Sequence, residues 1–155
     1  MFAKSTILNL VAATAFAAPT PDNALTKDAT PYVFSVSRFS SVCTAATCYY
    51  GFNVSATEGP SGEPSFTATG CGGSSVDPFK PCSTIGIDVP GNVETKEENL
   101  GRDVGANVFV KLSWRKDNIA YTLTGNQTVQ HTGIDKEPFD FVITPKTITA
   151  VPDKA

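Results

Sequence analysis

The sequence predicts an all-β fold: a single-domain antiparallel β-barrel or two-sheet sandwich, stapled by disulfide bonds. Short segments alternate apolar and polar residues with a period of two, and turn-forming residues separate these segments. Beyond the first 17 residues no segment shows a helical period, and the chain has no internal repeat. A length of 155 residues suits one hydrophobic core and is short for two.

The N-terminus has the pattern of a secretory signal peptide. Lys4 provides a positive charge, residues 7–16 form an apolar run, and Ala15-Phe16-Ala17 is a small-residue cleavage site. We therefore expect a signal peptide over residues 1–17, a flexible leader over 18–30 and the all-β domain over 31–155. No later apolar run reaches the ~18 residues that a membrane-spanning helix needs. These features predict a secreted, extracellular protein without membrane insertion.

The clearest strand is the segment 48–57, which has one apolar and one polar face. The apolar face consists of Tyr50, Phe52, Val54 and Ala56. A first strand is predicted at 32–39, before this segment, and a third runs from Phe66 into Cys71. The Gly-, Ser- and Pro-rich residues 72–81 are predicted to form a loop.

The second half of the chain contains the strongest hairpin signal. Residues 108–115 alternate apolar and polar side chains, the turn 116–118 reverses direction, and 119–129 returns. Phe109 is the exception, an aromatic residue on the polar face. The other predicted elements are short strands at 84–89 and 91–96, a polar connection at 97–105, a loop at 131–138, and strands at 139–143 and 147–151.

The four cysteines predict disulfide bonds. An even number of cysteines suits an oxidising compartment, and the spacings lack the close C-x2-C pairs of most zinc modules and of redox motifs. Four cysteines allow three connectivities, among which the sequence does not choose. The nearest-neighbour pairing, Cys43 with Cys48 and Cys71 with Cys82, is the one we favour.

Two N-glycosylation sequons are present, Asn53-Val54-Ser55 and Asn126-Gln127-Thr128. Both asparagines fall on the polar faces of their predicted strands. In an exported chain this placement favours glycosylation of Asn53, Asn126 or both, with a plain exposed asparagine as the alternative.

The composition offers little for catalysis or for nucleic-acid binding. The net charge is −3 and no basic cluster occurs, so nucleic acid and anionic membranes are poor candidate partners. His131 is the only histidine and is expected to be solvent-exposed; no G-x-S-x-G motif accompanies it. The acidic residues of segment 94–98 are expected to form a solvated charged connection. We therefore expect no enzyme activity, no metal and no cofactor.

Two stretches of the predicted strands resemble a known family. The opening of the Alternaria major-allergen family of fungal secreted proteins is similar to Tyr32-Val33-Phe34-Ser35-Val36-Ser37-Arg38-Phe39 followed by Tyr49-Tyr50-Gly51-Phe52-Asn53-Val54-Ser55-Ala56-Thr57. Phe66-Thr67-Ala68-Thr69-Gly70-Cys71, answered by Cys82, resembles that family's first disulfide, and Asp140-Phe141-Val142 resembles its last core strand. The resemblance spans most of the mature chain but consists of strand patterns and one cysteine pair.

The resemblance implies a secreted elicitor or effector that triggers plant defence or cell death when a host plant protein or receptor recognises its surface. The loops at 72–81, 94–105 and 131–138 are the candidate recognition segments. The family resemblance supplies no catalytic residues. The family's inter-subunit cysteine has no counterpart here, so a monomer is expected and a non-covalent dimer stays open. The alternatives are a β-barrel that binds a small hydrophobic ligand and an enzyme that acts on cell-wall polymers.

Overall fold

A computed structural model describes residues 31–153, and these residues form an all-β fold, as predicted. The predicted signal peptide and leader lie outside the described residues. Among the residues that are described, no helix is long and apolar enough to cross a membrane. The strands are β1 (Phe34–Cys43), β2 (Cys48–Ala56), β3 (Phe66–Ser74), β4 (Lys80–Pro81), β5 (Thr84–Ile87), β6 (Gly91–Gly101), β7 (Gly105–Lys116), β8 (Ile119–Val129), β9 (Phe139–Ile143) and β10 (Pro145–Pro152).

The architecture is a sandwich of two antiparallel sheets rather than a closed barrel. The first sheet has the strand order β5-β3-β2-β1-β9, and the second has the order β10-β8-β7-β6-β4. The predicted hairpin is β7–β8, whose two turn residues Asp117 and Asn118 have φ angles of 52° and 60°. Left-handed backbone at both central positions matches the right-handed twist of the flanking strands, and Asp and Asn tolerate it.

The core lies between the inward faces of the two sheets. In β2 every second residue from Cys48 to Ala56 is buried, which confirms the predicted apolar face. Phe39 lies at the centre of an aromatic cluster, with ring centroids 6.1 Å from Phe52 and 5.5 Å from both Phe139 and Phe141. The second sheet faces this cluster with a row of fully buried aliphatic side chains, Val93, Val108, Val110 and Leu112.

The first strand differs from the prediction because it contains a β-bulge. The pairing of β1 with β2 shifts register between Ser37 and Ser40, and Arg38 has a φ of 56°. The extra residue reverses the alternation, so that Phe34 and Val36 face inward before the bulge and Phe39 and Ser41 after it. The strand continues beyond the bulge to Cys43, whereas the sequence predicted that it would end at Phe39.

The predicted polar connection at 97–105 is wrong, because β6 continues to Gly101 and β7 begins at Gly105. The acidic segment 94–98 is therefore a strand with two faces. Glu94 and Glu98 lie on the outward face, whereas Glu97 has no exposed surface. The prediction failed because it treated a run of polar residues as loop without following the alternation from Val93 through Thr95 to Glu97.

The predicted loop at 72–81 is also partly strand, because β3 extends to Ser74 and β4 pairs with β6. The chain crosses from the second sheet to the first just after β4. The Cys82 amide donates to the Val93 carbonyl of β6, and the Ser83 amide donates to the Gly70 carbonyl of β3. The disulfide between Cys71 and Cys82 therefore ties the two sheets together at this crossover.

Candidate functional site

Four connections gather at one end of the sandwich, which we call the loop end. It consists of residues 44–47, 75–79, 102–104 and 130–138. The connections contact one another: the Thr47 and Ser75 hydroxyls lie 3.0 Å apart, and the Gln130 side-chain amide donates to the Val104 carbonyl at 3.2 Å. The sequence predicted recognition loops at 72–81, 94–105 and 131–138. The parts of these segments that are not strand all lie at the loop end.

Exposed apolar side chains are concentrated at the loop end. Among the described residues eight large hydrophobic side chains are exposed, and five of them lie on these connections or next to them. The five are Tyr49, Val76, Leu100, Val104 and Ile134. Ile134 is the most exposed, at 85%. The connection 75–79 also carries a charged group, Asp77, which forms an ion pair with Lys80 of β4 at 2.8 Å.

A buried polar network lies beneath the loop end and attaches it to the sandwich. The Ser41 hydroxyl is 3.2 and 3.1 Å from the two carboxylate oxygens of Glu97 and 2.9 Å from Nδ1 of His131. The Thr132 hydroxyl accepts from the Ser41 amide and donates to the Ser41 carbonyl, both at 3.0 Å. On the far side of the imidazole, Nε2 of His131 lies 3.2 Å from Oδ1 of Asn99.

Burial controls the protonation of this network. Loss of solvent raises the pKa of Glu97 to about 7, and the hydrogen bond from Ser41 only partly opposes this. Loss of solvent also lowers the pKa of His131, against a hydrogen bond with the Gly105 backbone. Burial favours the neutral form of both groups, so this end of the core tends to hold an uncharged pair.

The arrangement differs from a nucleophilic relay. In a Ser-His-acid relay the imidazole lies between the hydroxyl and the carboxylate, so that it takes the hydroxyl proton. Here Ser41 lies between His131 and Glu97, and Ser41 has no exposed surface through which a substrate could reach it. The geometry suits a structural anchor for the loop end. His131, expected to be solvent-exposed, is in fact partly buried and hydrogen-bonded on both sides.

The disulfide Cys43–Cys48 closes the β1–β2 turn at the same end, and both disulfides have the nearest-neighbour pairing that we favoured. Sγ of Cys43 lies 3.5 Å from Nδ1 of His131. The two sulfurs and an imidazole nitrogen fall within 4.8 Å of one another, which is metal-ligand spacing. Because the sulfurs are bonded to each other, neither is the thiolate that a zinc ion requires.

An aromatic cleft lies at the opposite end of the sandwich, beside the β7–β8 turn. Trp114 and Tyr121 stack in parallel there, with ring centroids 5.0 Å apart and an angle of 13° between the planes. Both rings line two cavities, one of about 350 Å³ that Pro90 and Asn92 also line and one of about 280 Å³ that Glu63 and Ile148 also line; together we call them the aromatic cleft. Sequence reasoning missed this cleft, because it classed both aromatic residues as strand positions.

The two sequon asparagines lie on the outward faces of different sheets, Asn53 in β2 and Asn126 in β8. Oδ1 of Asn53 accepts a hydrogen bond from the Gly70 amide at 3.2 Å, and Nδ2 of Asn126 donates to Oδ1 of Asn107 at 2.8 Å. Neither asparagine belongs to the loop end. Their glycosylation stays a prediction.

No protein-family model, curated protein or solved structure matches this chain. The case for a function therefore depends on the loop end, the aromatic cleft and the outward sheet faces themselves.

Proposed function

We propose that this protein is a secreted, non-catalytic elicitor or effector whose loop end is bound by a host plant protein. The observation that carries the proposal is the convergence of four connections and five exposed hydrophobic side chains at one end of a rigid sandwich. Loops positioned by a rigid scaffold are where recognition residues are most often found. Exposed large apolar side chains that gather in one region of a protein surface are characteristic of protein–protein contact sites.

The composition of the loop end suits a protein partner. Val104 and Ile134 supply exposed apolar side chains, while Asp77 and Arg102 on the same connections, and Lys80 at the start of β4, supply charged groups. Protein–protein interfaces usually combine apolar contact area with polar and charged groups. The buried network of Ser41, Glu97 and Thr132 holds the loop 130–138 against β1, which reduces the ordering that binding would require.

The choice of a plant partner rests on the resemblance of the strand motifs to the Alternaria major-allergen family, and the predicted signal peptide would export the protein from the producing cell. We treat the free protein as a monomer. All four cysteines pair within the chain, so none is left to link two subunits.

The first test is infiltration of the purified mature protein into leaves at micromolar concentration. Native, heat-treated and reduced samples are compared for cell death. The proposal expects death only from the native, oxidised protein, because the partner reads a folded surface. An inert native protein, or activity that survives boiling and reduction, would overturn it.

Matched surface variants then locate the recognised face. Ile134→Asp and Val104→Asp place a charge in the loop end, where we expect loss of the leaf response. Val151→Asp is the control, since Val151 is as exposed as Val104 (58% and 55%) but lies on the edge strand β10. All three sites are exposed, so the fold should tolerate each change. Equal activity of the loop-end variants and the control would show that another surface is recognised.

The aromatic cleft supports a second candidate function, the binding of a small hydrophobic ligand. Trp114 is the only tryptophan of the chain, so its fluorescence reports on this cleft alone. Native mass spectrometry of protein from its natural source should show a bound mass, and removal of the ligand should shift the Trp114 emission. A native mass equal to the denatured mass of the same protein, with unchanged emission after extraction, would exclude this candidate.

A further inference from the structure

Phe109 forms an aromatic platform on the outward face of the second sheet. It is only partly buried, and the other outward-facing side chains of β7 are polar: Asn107, Lys111, Ser113 and Arg115. Phe79, from the β3–β4 connection, packs edge-on against it with ring centroids 6.2 Å apart. Nζ of Lys96 lies 5.8 Å from the centre of the Phe109 ring. Phe79 and Lys96 cover part of the Phe109 ring, and burying the apolar surface that stays exposed would release the water ordered around it.

The sequon residue Asn126 lies directly beside this platform. Asn126 of β8 is the cross-strand partner of Phe109 in β7, and side chains at such positions have their Cβ atoms ~5 Å apart. The hydrogen bond from Nδ2 of Asn126 to Asn107, at 2.8 Å, holds the amide along the same face. An N-linked sugar replaces one of the two amide hydrogens, and the remaining N–H can still donate to Asn107.

We propose that Asn126 is an N-glycosylation site whose first N-acetylglucosamine packs against the Phe109 ring. One face of the sugar presents mainly C–H groups, which match the electron-rich face of an aromatic ring, while its hydroxyl groups stay in water. The glycan would cover the part of the Phe109 ring that Phe79 and Lys96 leave exposed. The inference depends on export through the glycosylating compartment, which is part of the proposed function, and is independent of recognition by a plant.

Asn53 supplies an internal control. It also lies on an outward strand face and carries a sequon, but its partner across β1 is Ser37. On its other side the register of β2 and β3 shifts, and the β3 residues opposite it there are Thr69 and Gly70, neither of which is aromatic. A sugar on Asn53 therefore has no directly opposed aromatic ring to pack against.

The experiment expresses the full chain in a secreting yeast and maps both sequons by glycopeptide mass spectrometry. The glycans are trimmed to a single N-acetylglucosamine. The thermal unfolding midpoint of the glycosylated protein is then compared with that of Asn126→Gln, first with Phe109 present and then in the Phe109→Thr background. We expect occupancy at Asn126 and a midpoint raised by roughly 2–4 °C only when Phe109 is present. The same comparison with Asn53→Gln should show no dependence on residue 109.

An unoccupied Asn126 in the secreted protein would overturn the proposal, as would an increase in midpoint that is the same with Thr at position 109. If Phe109→Thr is not secreted, Phe109→Leu serves in its place, because it keeps apolar bulk but removes the aromatic face; the expected dependence is again lost. Suppose that the glycan stabilises the protein only when Phe109 is present, but that infiltrated leaves show no response. This result would refute the recognition proposal without affecting the glycan proposal.

Discussion

The Ser41 hydroxyl lies within 3.2 Å of both carboxylate oxygens of Glu97, and neither side chain has exposed surface. The same hydroxyl lies 2.9 Å from Nδ1 of His131. A hydroxyl has one proton to donate, so the protonation states of its two neighbours are linked. When Glu97 is protonated, its carboxyl group donates to the Ser41 hydroxyl, and Ser41 donates to Nδ1 of His131. Nε2 of His131 then donates to Oδ1 of Asn99, so every group has a hydrogen-bond partner.

Ionisation of Glu97 alone breaks this order. Ser41 then donates its proton to the carboxylate and can no longer donate to Nδ1 of a neutral His131. The contact between Ser41 and Nδ1 is kept only if the imidazole adopts the tautomer with its proton on Nδ1. In that tautomer Nε2 has no proton for Oδ1 of Asn99, which already accepts from the Gly101 amide. The network is therefore fully paired when both groups are neutral, or when the proton has moved from Glu97 to His131.

The first prediction is a loss of stability as the pH rises. The pKa of Glu97 is about 7 in the folded protein and near 4.5 in the unfolded chain, so the folded state holds more protons between these values. The resulting stability is fully present below pH 4.5 and is lost as the pH rises through 7, by roughly 3 kcal/mol at most. Urea unfolding of the wild-type protein and of Glu97→Gln from pH 4 to 8 measures this, and the Gln variant should lack the decline.

Glu98→Gln is the matched control for that experiment, since Glu98 is the neighbouring carboxylate on the outward face, where it pairs with Lys96 at 2.7 Å. Its pH profile should follow that of the wild-type protein. Parallel profiles for wild type and Glu97→Gln would show that the Glu97 carboxyl does not titrate differently on folding.

The second prediction concerns His131, whose titration changes stability with pH in the direction opposite to that of Glu97. Burial lowers its pKa below the ordinary value of 6.5, so the folded state holds fewer protons there than the unfolded chain. Its contribution to stability is present above pH 6.5 and is lost as the pH falls through the lowered value. Because His131 is the only histidine, its ring resonances in a proton NMR titration are unambiguous. A midpoint at or above 6.5 would contradict the buried, neutral imidazole.

The parts of the fold that the sequence predicts well are those whose pattern is local. The alternation in β2 and the turn at Asp117 and Asn118 depend on neighbouring residues alone, and both were predicted correctly. The bulge at Arg38 was missed, because an extra residue in a strand is defined by the register of the partner strands. It changes which residues of the second half of β1 face inward.

The candidate site was harder to predict for a related reason. Glu97 is buried because β6 brings it against Ser41, which is 56 positions away in the chain, and only the bulge turns Ser41 inward. The alternation of Val93, Thr95 and Glu97 was the available signal, and the charge of the segment masked it. Convergence of the loops likewise depends on strand order, which short-range patterns do not contain.

The third prediction separates the two disulfides. In the chain-entropy model, loss of Cys43–Cys48, which closes a separation of 5 residues, costs roughly 2 kcal/mol, and loss of Cys71–Cys82, with a separation of 11, costs roughly 3 kcal/mol. We expect the difference to be larger, because Cys71–Cys82 joins the two sheets whereas Cys43 and Cys48 already pair within one hairpin. Urea unfolding of the two paired Cys→Ser variants measures the order, and a greater loss from Cys43–Cys48 would contradict it.

The fourth prediction uses two glycines that face each other across the β6–β7 turn at the loop end. Gly101 and Gly105 have similar φ angles, 112° and 106°, which side chains rarely adopt, so an alanine at either position is strained by ~1–3 kcal/mol. Their surroundings differ. A Cβ at Gly101 meets no atom within 4 Å, whereas a Cβ at Gly105 collides with the backbone carbonyl of Val129.

Gly105→Ala should therefore cost clearly more stability than Gly101→Ala in urea unfolding, because the strain is shared and only the first change forces β7 away from β8. The displaced backbone includes Gln130, the first residue of the loop that His131 and Thr132 attach to β1. Gly105→Ala should consequently also raise amide hydrogen exchange in residues 130–138, and Gly101→Ala should not. Equal stability losses, with unchanged exchange in that loop, would mean that the β7–β8 pairing at Val129 yields without disturbing the loop end.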